Sequence, residues 1–167
     1  MAMILGLLWT GIVDVNGMIA GFDAGLGQIS HIEMTKINFK NDHRNLVLFK
    51  EDMLLVIQSR IYDRQAGHLT YETVGFKVYK MNWNERKWEQ IQSLGEHSLF
   101  IGTKSSLCCC AADFVGCRPN CIYFTYFTDY VNGKDVGIYN LSDKSIEPLP
   151  GYLSNSYGHS VWVELTP

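Results

Sequence analysis

Along the 167 residues no stretch sustains apolar residues at the helical period, whereas short runs rich in Val, Ile, Tyr and Phe return repeatedly between turn residues. A chain patterned in this way is restricted to all-β architectures. The runs also have an order. The first unit opens with Ile12-Val13-Asp14-Val15, turns at Asn16-Gly17 and returns through Met18-Ile19-Ala20-Gly21-Phe22-Asp23. Asn-Gly is a strong hairpin signal because both central residues of the tight turn need positive φ. A third run follows at residues 28–34 and a fourth at 36–39.

The second unit repeats the plan. Leu46-Val47-Leu48-Phe49 leads into a turn at Glu51-Asp52, and residues 53–60 form the return. Phe76-Lys77-Val78-Tyr79-Lys80-Met81 and Trp88-Glu89-Gln90-Ile91-Gln92-Ser93 then alternate apolar with polar residues, as strands with one buried face do. The third unit opens at residues 107–112 and passes a loop ending at Pro119-Asn120. It returns through Cys121-Ile122-Tyr123-Phe124-Thr125-Tyr126-Phe127 and continues with residues 136–141 and 145–149. Because four-strand groups recur, the pattern predicts a partial β-propeller of about three four-stranded antiparallel blades in a kelch-like arrangement, forming a single domain over residues 1–167. A sandwich or barrel built from the same strands is the alternative; no long Greek-key return favours it. The apolar segment 1–9 reads as one more buried strand.

Composition removes several classes of function. Lys plus Arg number 14 against 17 Asp plus Glu, a formal charge of −3, and no basic stripe is present, so nucleic-acid binding is not expected. No segment approaches the ~20 consecutive apolar residues of a spanning helix, so no membrane association is expected either. The apolar start lacks the basic residues and the cleavage site of a secretory signal, since the first basic residue is Lys36. Cys108, Cys109, Cys110, Cys117 and Cys121 are odd in number and clustered, unlike a secreted disulfide framework, and neighbours on a strand cannot turn their thiolates to one metal. They read as buried, inert thiols in a reducing compartment. Asn140-Leu141-Ser142 matches a glycosylation acceptor that would then never meet its machinery.

Catalytic constellations fail for physical reasons. Gly25-Leu26-Gly27 starts a dinucleotide fingerprint, but Ser30 takes the third glycine's place and a strand follows where a helix is needed. Gly158-His159-Ser160 begins a nucleophile elbow, and Trp162 occupies its closing glycine. His31, His43, His68, His97 and His159 stand singly, and Asp42-His43 reads as a solvated turn. Neither catalytic nor metal residues are assigned, and no cofactor is expected. Among the aromatics, Trp9, Trp88 and Trp162 are expected to fill gaps between blades. Trp83, in the polar loop 82–87, is either an interface anchor or a ring folded over its own hairpin, and the second is favoured. Tyr126, Phe127 and Tyr130 have a weaker claim to an interface.

From Phe76 onward the chain also resembles a known family. Phe76-Lys77-Val78-Tyr79-Lys80, Trp88, Ser93-Leu94-Gly95-Glu96, Leu99-Phe100-Ile101-Gly102, Ala112-Asp113-Phe114, Gly116-Cys117-Arg118-Pro119-Asn120-Cys121-Ile122-Tyr123-Phe124-Thr125, Val136-Gly137-Ile138-Tyr139-Asn140-Leu141 and Ile146-Glu147-Pro148-Leu149 are similar, in that order, to the plant F-box-associated domain of the KIB-type β-propeller family. Val161-Trp162-Val163 resembles its C-terminal end, and residues 12–60 match more loosely. The resemblance covers the C-terminal half of such proteins; no Leu-Pro-x-Asp-Leu start of an F-box occurs.

The resemblance implies a plant protein, intracellular in cytoplasm and/or nucleus, that is not an enzyme. It implies a protein-interaction domain related to the substrate-recognition propellers of Skp1-cullin-F-box ubiquitin ligases. Its partner is expected to be a protein, without direct Skp1 binding. The rival reading is a small-molecule or sugar-binding or hydrolytic propeller, and a further one is a truncated, non-functional relic. Three blades fall short of the four to eight of a closed ring, so self-association through open blade edges is a further expectation.

Overall fold

The computed structural model describes residues 12–13, 19–23 and 28–32, residues 42–126 and 135–151 apart from 51, 66–67 and 104, and Trp162. In the first sheet β1 (Ile12–Val13), β2 (Ile19–Asp23) and β3 (Gln28–Ile32) lie in sequence order. Val13 pairs with Ile19, one residue away from the Val13–Ala20 pairing that a two-residue turn at Asn16-Gly17 sets when no bulge intervenes. That turn, the run at 36–39 and the segment 1–9 lie outside the described residues.

The second sheet is a meander of β4 (His43–Phe49), β5 (Asp52–Gln65), β6 (His68–Asn82) and β7 (Lys87–Ile91). Lys50 (φ 56°) turns β4 into β5. The β6–β7 turn is held by the Asn82 side chain, whose Oδ1 accepts from the Asn84 and Glu85 amides at 3.1 Å each, the local closure asparagine offers a turn. The long β5–β6 hairpin departs from the sequence reading, which ended the return strand at Arg60. β4 stops pairing at Gln58 and β7 at Val78, yet β5 and β6 continue together to Gln65 and His68 past a bulge at Ser59/Arg60. The result is a two-stranded ribbon that outruns its neighbours. Ile61, Tyr62 and Val74 are exposed on it.

The third sheet corrects the expected unit. It holds five strands in the order β12-β11-β10-β8-β9, from β8 (His97–Ile101), β9 (Ser106–Cys110), β10 (Cys121–Tyr126), β11 (Asp135–Asn140) and β12 (Ile146–Glu147). The Leu99-Phe100-Ile101 run, absent from the four-strand count, supplies the central β8. It pairs antiparallel with β9 but parallel with β10. The segment between β9 and β10 is therefore a crossover rather than a hairpin, running through a short 3₁₀ helix (Ala111–Asp113). Asn120, in the left-handed region at φ 59°, ends it. Its amide donates to the His97 carbonyl at 2.8 Å, its Oδ1 accepts from the Leu94 amide at 2.8 Å, and its Nδ2 donates to Ser142 Oγ at 2.7 Å. One residue thus fastens the crossover to both neighbouring turns. Asparagine suits the position because it tolerates positive φ and carries both a donor and an acceptor.

Gly137 is required for a different reason. It lies opposite Phe124 across β10–β11, and a Cβ there would sit 2.8 Å from the Glu147 carbonyl oxygen and 2.9 Å from Phe124 Cζ. The glycine leaves room for the ring.

The second and third sheets pack face to face, with β4 against β9 and β6 against β11. Leu54, Val56, Phe76 and Val78 from one meet Leu99, Ile122, Phe124 and Tyr139 from the other. Phe76 centres the seam, its ring 5.2 Å from Phe124 and 5.3 Å from Tyr139. Side chains alternate across a strand, so Met53, Leu55 and Ile57 leave the opposite face of β5, where Met81 and Trp88 join them in a second buried cluster. On the far face of the third sheet Cys121, Tyr123 and Ile138 form a third cluster, with Phe100 and Trp162 against it. An all-β arrangement of mainly antiparallel sheets, the second and third of them buried on both faces, fits a partial propeller; closure into a ring is not seen among the described residues.

Candidate functional site

The seam between the second and third sheets carries the most distinctive chemistry. Core-facing Leu54 and Val56 are followed, two residues on, by Gln58, a polar side chain 1% exposed. Burial at that depth demands partners, and they form a directed chain. Arg60 donates to Gln58 Oε1 at 2.5 Å, and Gln58 Nε2 donates to Thr73 Oγ1 at 2.5 Å. The Thr73 hydroxyl in turn donates to Asp135 Oδ2 on the facing sheet. Asp135 Oδ1 also accepts the Thr73 backbone amide at 3.2 Å. The bulge and the early end of β7 leave this part of β6 without a second strand partner, so a carboxylate of β11 takes up the amide instead. Every donor points the same way, from guanidinium to carboxylate, an arrangement in which the bonds polarise one another favourably.

The electrostatics follow from that geometry. Burial pushes the Asp135 carboxyl up, against the opposing effect of its Thr73 hydrogen bonds and the Arg60 charge, while Glu72 adds to the rise. His43, paired across β4–β5 with Gln58, is held down to about 4 by burial first and then by the Arg60 and Arg44 charges. It is thus a neutral, half-buried strand residue at neutral pH, where a solvated turn was expected. Tyr139 makes a parallel contact further along β11: burial pushes its phenol up, and a hydrogen bond from the Phe76 backbone opposes the rise.

Beside this relay, where β7 ends and β6 runs on, lies a groove of about 250 Å³. Buried Phe76, Val78, Tyr139 and Leu141 form its floor beside Ile91, and the more exposed lining is polar, with the Gln90 and Gln92 amides and the charges of Lys77 and Lys144. No carboxylate lines it.

The other residues singled out in the sequence are accounted for by packing. None of the five cysteines is in a disulfide; Cys109 and Cys121 are buried and the others half-buried. Burial pushes Cys108 up to about 11 and raises Cys121 as well, which keeps both protonated and unreactive. Trp88 sits in the core of the second sheet, and Trp83 packs against the same cluster, a ring folded over its own hairpin. Trp162 lies 4.9 Å from Phe100 in an edge contact, its amide donating to Ser105 Oγ at 2.9 Å. Trp9, Phe127, Tyr130 and the Tyr126 side chain lie outside the described residues, as do the Gly25-Leu26-Gly27 glycines and Gly158-His159-Ser160. Among the described residues no group of three or more His, Cys, Asp or Glu is placed to hold a metal ion.

Sequence reading missed Gln58, Thr73 and Asp135. Their signal was present in Gln58, a polar residue at the next position of the period-two series Leu54, Val56, but neither Thr73 nor Asp135 can be linked to it without knowing that β6 and β11 face one another.

Face-packed, mainly antiparallel sheets joined through such a seam are what neighbouring blades of a β-propeller form. Comparison with known proteins sharpens this. Residues 11–140 match the family of the KIB1-4 beta-propeller, and the chain belongs to that family. It is 36% identical over 154 residues to the F-box protein At3g25750 of Arabidopsis thaliana, covering 88% of this chain and 41% of that protein. To the F-box protein At2g17690 of the same plant it is 39% identical over 78 residues, covering 47% of this chain and 18% of the relative. A third Arabidopsis F-box protein, At2g26160, is 33% identical over 96 residues, or 56% and 28% of the two chains. The chain therefore spans less than half the length of these relatives. The resemblance read from residue 76 onward is borne out and extends toward the N-terminus. No solved structure matches the chain.

Proposed function

We propose that the chain is a non-enzymatic protein-interaction domain of the kind that recognises substrates for Skp1-cullin-F-box ubiquitin ligases. The observation that carries this reading is family membership across residues 11–140 together with relatives named as F-box proteins. The geometry is compatible with it: the buried carboxylate of Asp135 is taken up by Thr73 of the facing sheet, and His43 is a half-buried residue within its own sheet. This segment binds its protein partner itself and leaves the Skp1 contact to an F-box. It works inside the cell, in cytoplasm and/or nucleus, where five cysteines outside any disulfide are chemically at ease.

The test is affinity capture by the purified 167-residue chain from plant extract, alongside direct binding to a purified Skp1-type adaptor. Saturable capture of a defined protein without adaptor binding is the expected result. Tight adaptor binding by the chain alone overturns the assignment of roles. A saturable thermal stabilisation by a sugar or divalent metal, with no protein captured, replaces the reading with a small-molecule one.

A further inference from the structure

The end of the crossover brings two of the five cysteines together. Cys117 and Cys121 flank Arg118-Pro119-Asn120, where the chain turns with Asn120 at φ 59°. Cys121 and Tyr123 stand two residues apart on β10 and so project from one face. Both are buried there with Ile138, and Cys117 packs against that cluster from the crossover. The Tyr123 hydroxyl places Cys117 more closely. It accepts the Arg118 amide at 2.8 Å and hydrogen-bonds the Cys117 side chain. A ring on residue 123 that reaches the amide of residue 118 leans back over the start of β10, the side on which Cys121 stands. Burial pushes the Cys121 thiol up, the Arg118 charge opposes the rise and a Cys117 thiolate adds to it, so the two sulfurs lie within each other's field. A disulfide asks for Cα atoms about 4.4–6.8 Å apart, a separation that residues flanking such a turn reach with a small backbone shift.

The pair is unequal in access. Cys117 is half-buried, open to a small solute, whereas Cys121 is 2% exposed. The phenol beside Cys117 is a donor that steadies a thiolate once it forms. Cys108, Cys109 and Cys110 lack this arrangement, since they follow one another along β9 and neighbours there point to opposite faces.

We propose that Cys117 and Cys121 form a reversible disulfide when the chain meets a peroxide, closing the last turn of the crossover onto β10. The Cys117 thiolate attacks one oxygen of hydrogen peroxide; the O–O bond breaks, a sulfenic acid forms, and the departing hydroxide takes up the thiol's proton as water. The Cys121 sulfur then attacks the sulfenic sulfur, the S–S bond forms, and the hydroxyl group leaves with the Cys121 proton as a second water. The two thiols together give up two electrons, the peroxide accepts them, and a dithiol reverses the change. The bond withdraws Cys117 from the Tyr123 hydroxyl and sets a covalent tie beside the hydrogen bonds of Asn120.

The test treats the purified chain with hydrogen peroxide, alkylates it under denaturing conditions and weighs it intact. The wild-type chain is expected to take up two alkyl groups fewer than its reduced form, to lose the mass of two hydrogens, and to recover both thiols in dithiothreitol. Cys117→Ser is expected to alkylate equally before and after peroxide. Cys121→Ser separates the two steps: it should form no disulfide and should instead yield a dimedone adduct at Cys117. Cys108→Ser with Cys110→Ser should leave the wild-type disulfide in place, and a near-ultraviolet circular dichroism spectrum of each reduced variant shows that it is folded. No loss of thiols in the wild-type chain, a bond to any other cysteine, a disulfide that persists in Cys117→Ser, or no dimedone adduct in Cys121→Ser each overturns the proposal.

Discussion

The second and third sheets are built from similar apolar strands but are held together in opposite ways. In the second, strands follow one another as hairpins, so each pairing joins strands adjacent in the chain, and the β4–β5 and β6–β7 turns are closed at Lys50 and by Asn82. In the third, the central β8 is flanked by β9 and, in parallel, by β10, and the chain must leave the sheet at Cys110 and come back at Cys121. A parallel neighbour cannot be reached through a tight turn, so the pairing depends on the crossover and on Asn120, which pins its end. Local turns make one sheet self-specifying, and a single non-local fastening makes the other.

Four perturbations bear on that contrast. The largest is Phe124→Ala, which removes a ring 2% exposed from the seam shared by both sheets. It should cost about 3–5 kcal/mol, and a chemical denaturation curve should show both sheets failing together; survival of the second sheet alone would separate them more deeply than the shared core implies. Gly137→Val comes next, because the new side chain meets the Glu147 carbonyl and Phe124 at closer than contact distance. About 2–4 kcal/mol is expected, with native-state hydrogen exchange rising in β10–β12 first.

Asn120→Ala sharpens the comparison most directly. It deletes the acceptor for the Leu94 amide and places a Cβ residue without local hydrogen bonding at φ 59°, at about 2 kcal/mol. Exchange should accelerate at the β8–β10 pairing and leave the β4–β5 amides unchanged, and equal acceleration in both would break the contrast.

The smallest effect is in the pH dependence of the seam. His43 has a depressed value in the folded chain, so its contribution is full above its ordinary 6.5 and is lost as pH falls toward about 4. Asp135, raised by burial, acts in the other direction, its contribution present at low pH and lost as pH rises through its raised value. His43→Gln should therefore flatten the acid-side fall in melting temperature by about 1–2 kcal/mol equivalent between pH 6.5 and 4.5. Asp135→Asn should leave that fall in place and remove the opposing trend. Unchanged profiles in both variants would mean that neither group senses the seam.

What could be read beforehand follows the same division. The hairpin of residues 46–60, the alternating runs at 76–81 and 88–93, and the packing roles of Trp83 and Trp88 are local, and periodicity displays them. The third sheet's strand order is not local. Leu99-Phe100-Ile101 is a run too short and too uniformly apolar to announce its place, and the turn residues Arg118-Pro119-Asn120 look the same whether they close a hairpin or end a crossover. The polar relay was hidden for the same reason, since Asp135 lies 62 residues from Thr73 and no motif joins them. Family resemblance was easier to see than topology because it rests on the identity and order of residues and needs no knowledge of which strands touch.

The ribbon of β5 and β6 beyond the bulge has one more consequence. Counted from Arg60 to Gln65 at roughly 3.3 Å per residue, it reaches about 20 Å past the last residue shared with β4. The registers of the body are fixed before the ribbon begins, at Gln58 on one strand and Val78 on the other, so residue pairs added to or removed from its tip shift no side chain in the core. Length there is a dimension in which descendants of this fold can vary freely, changing how far the domain reaches while every blade contact stays as it is.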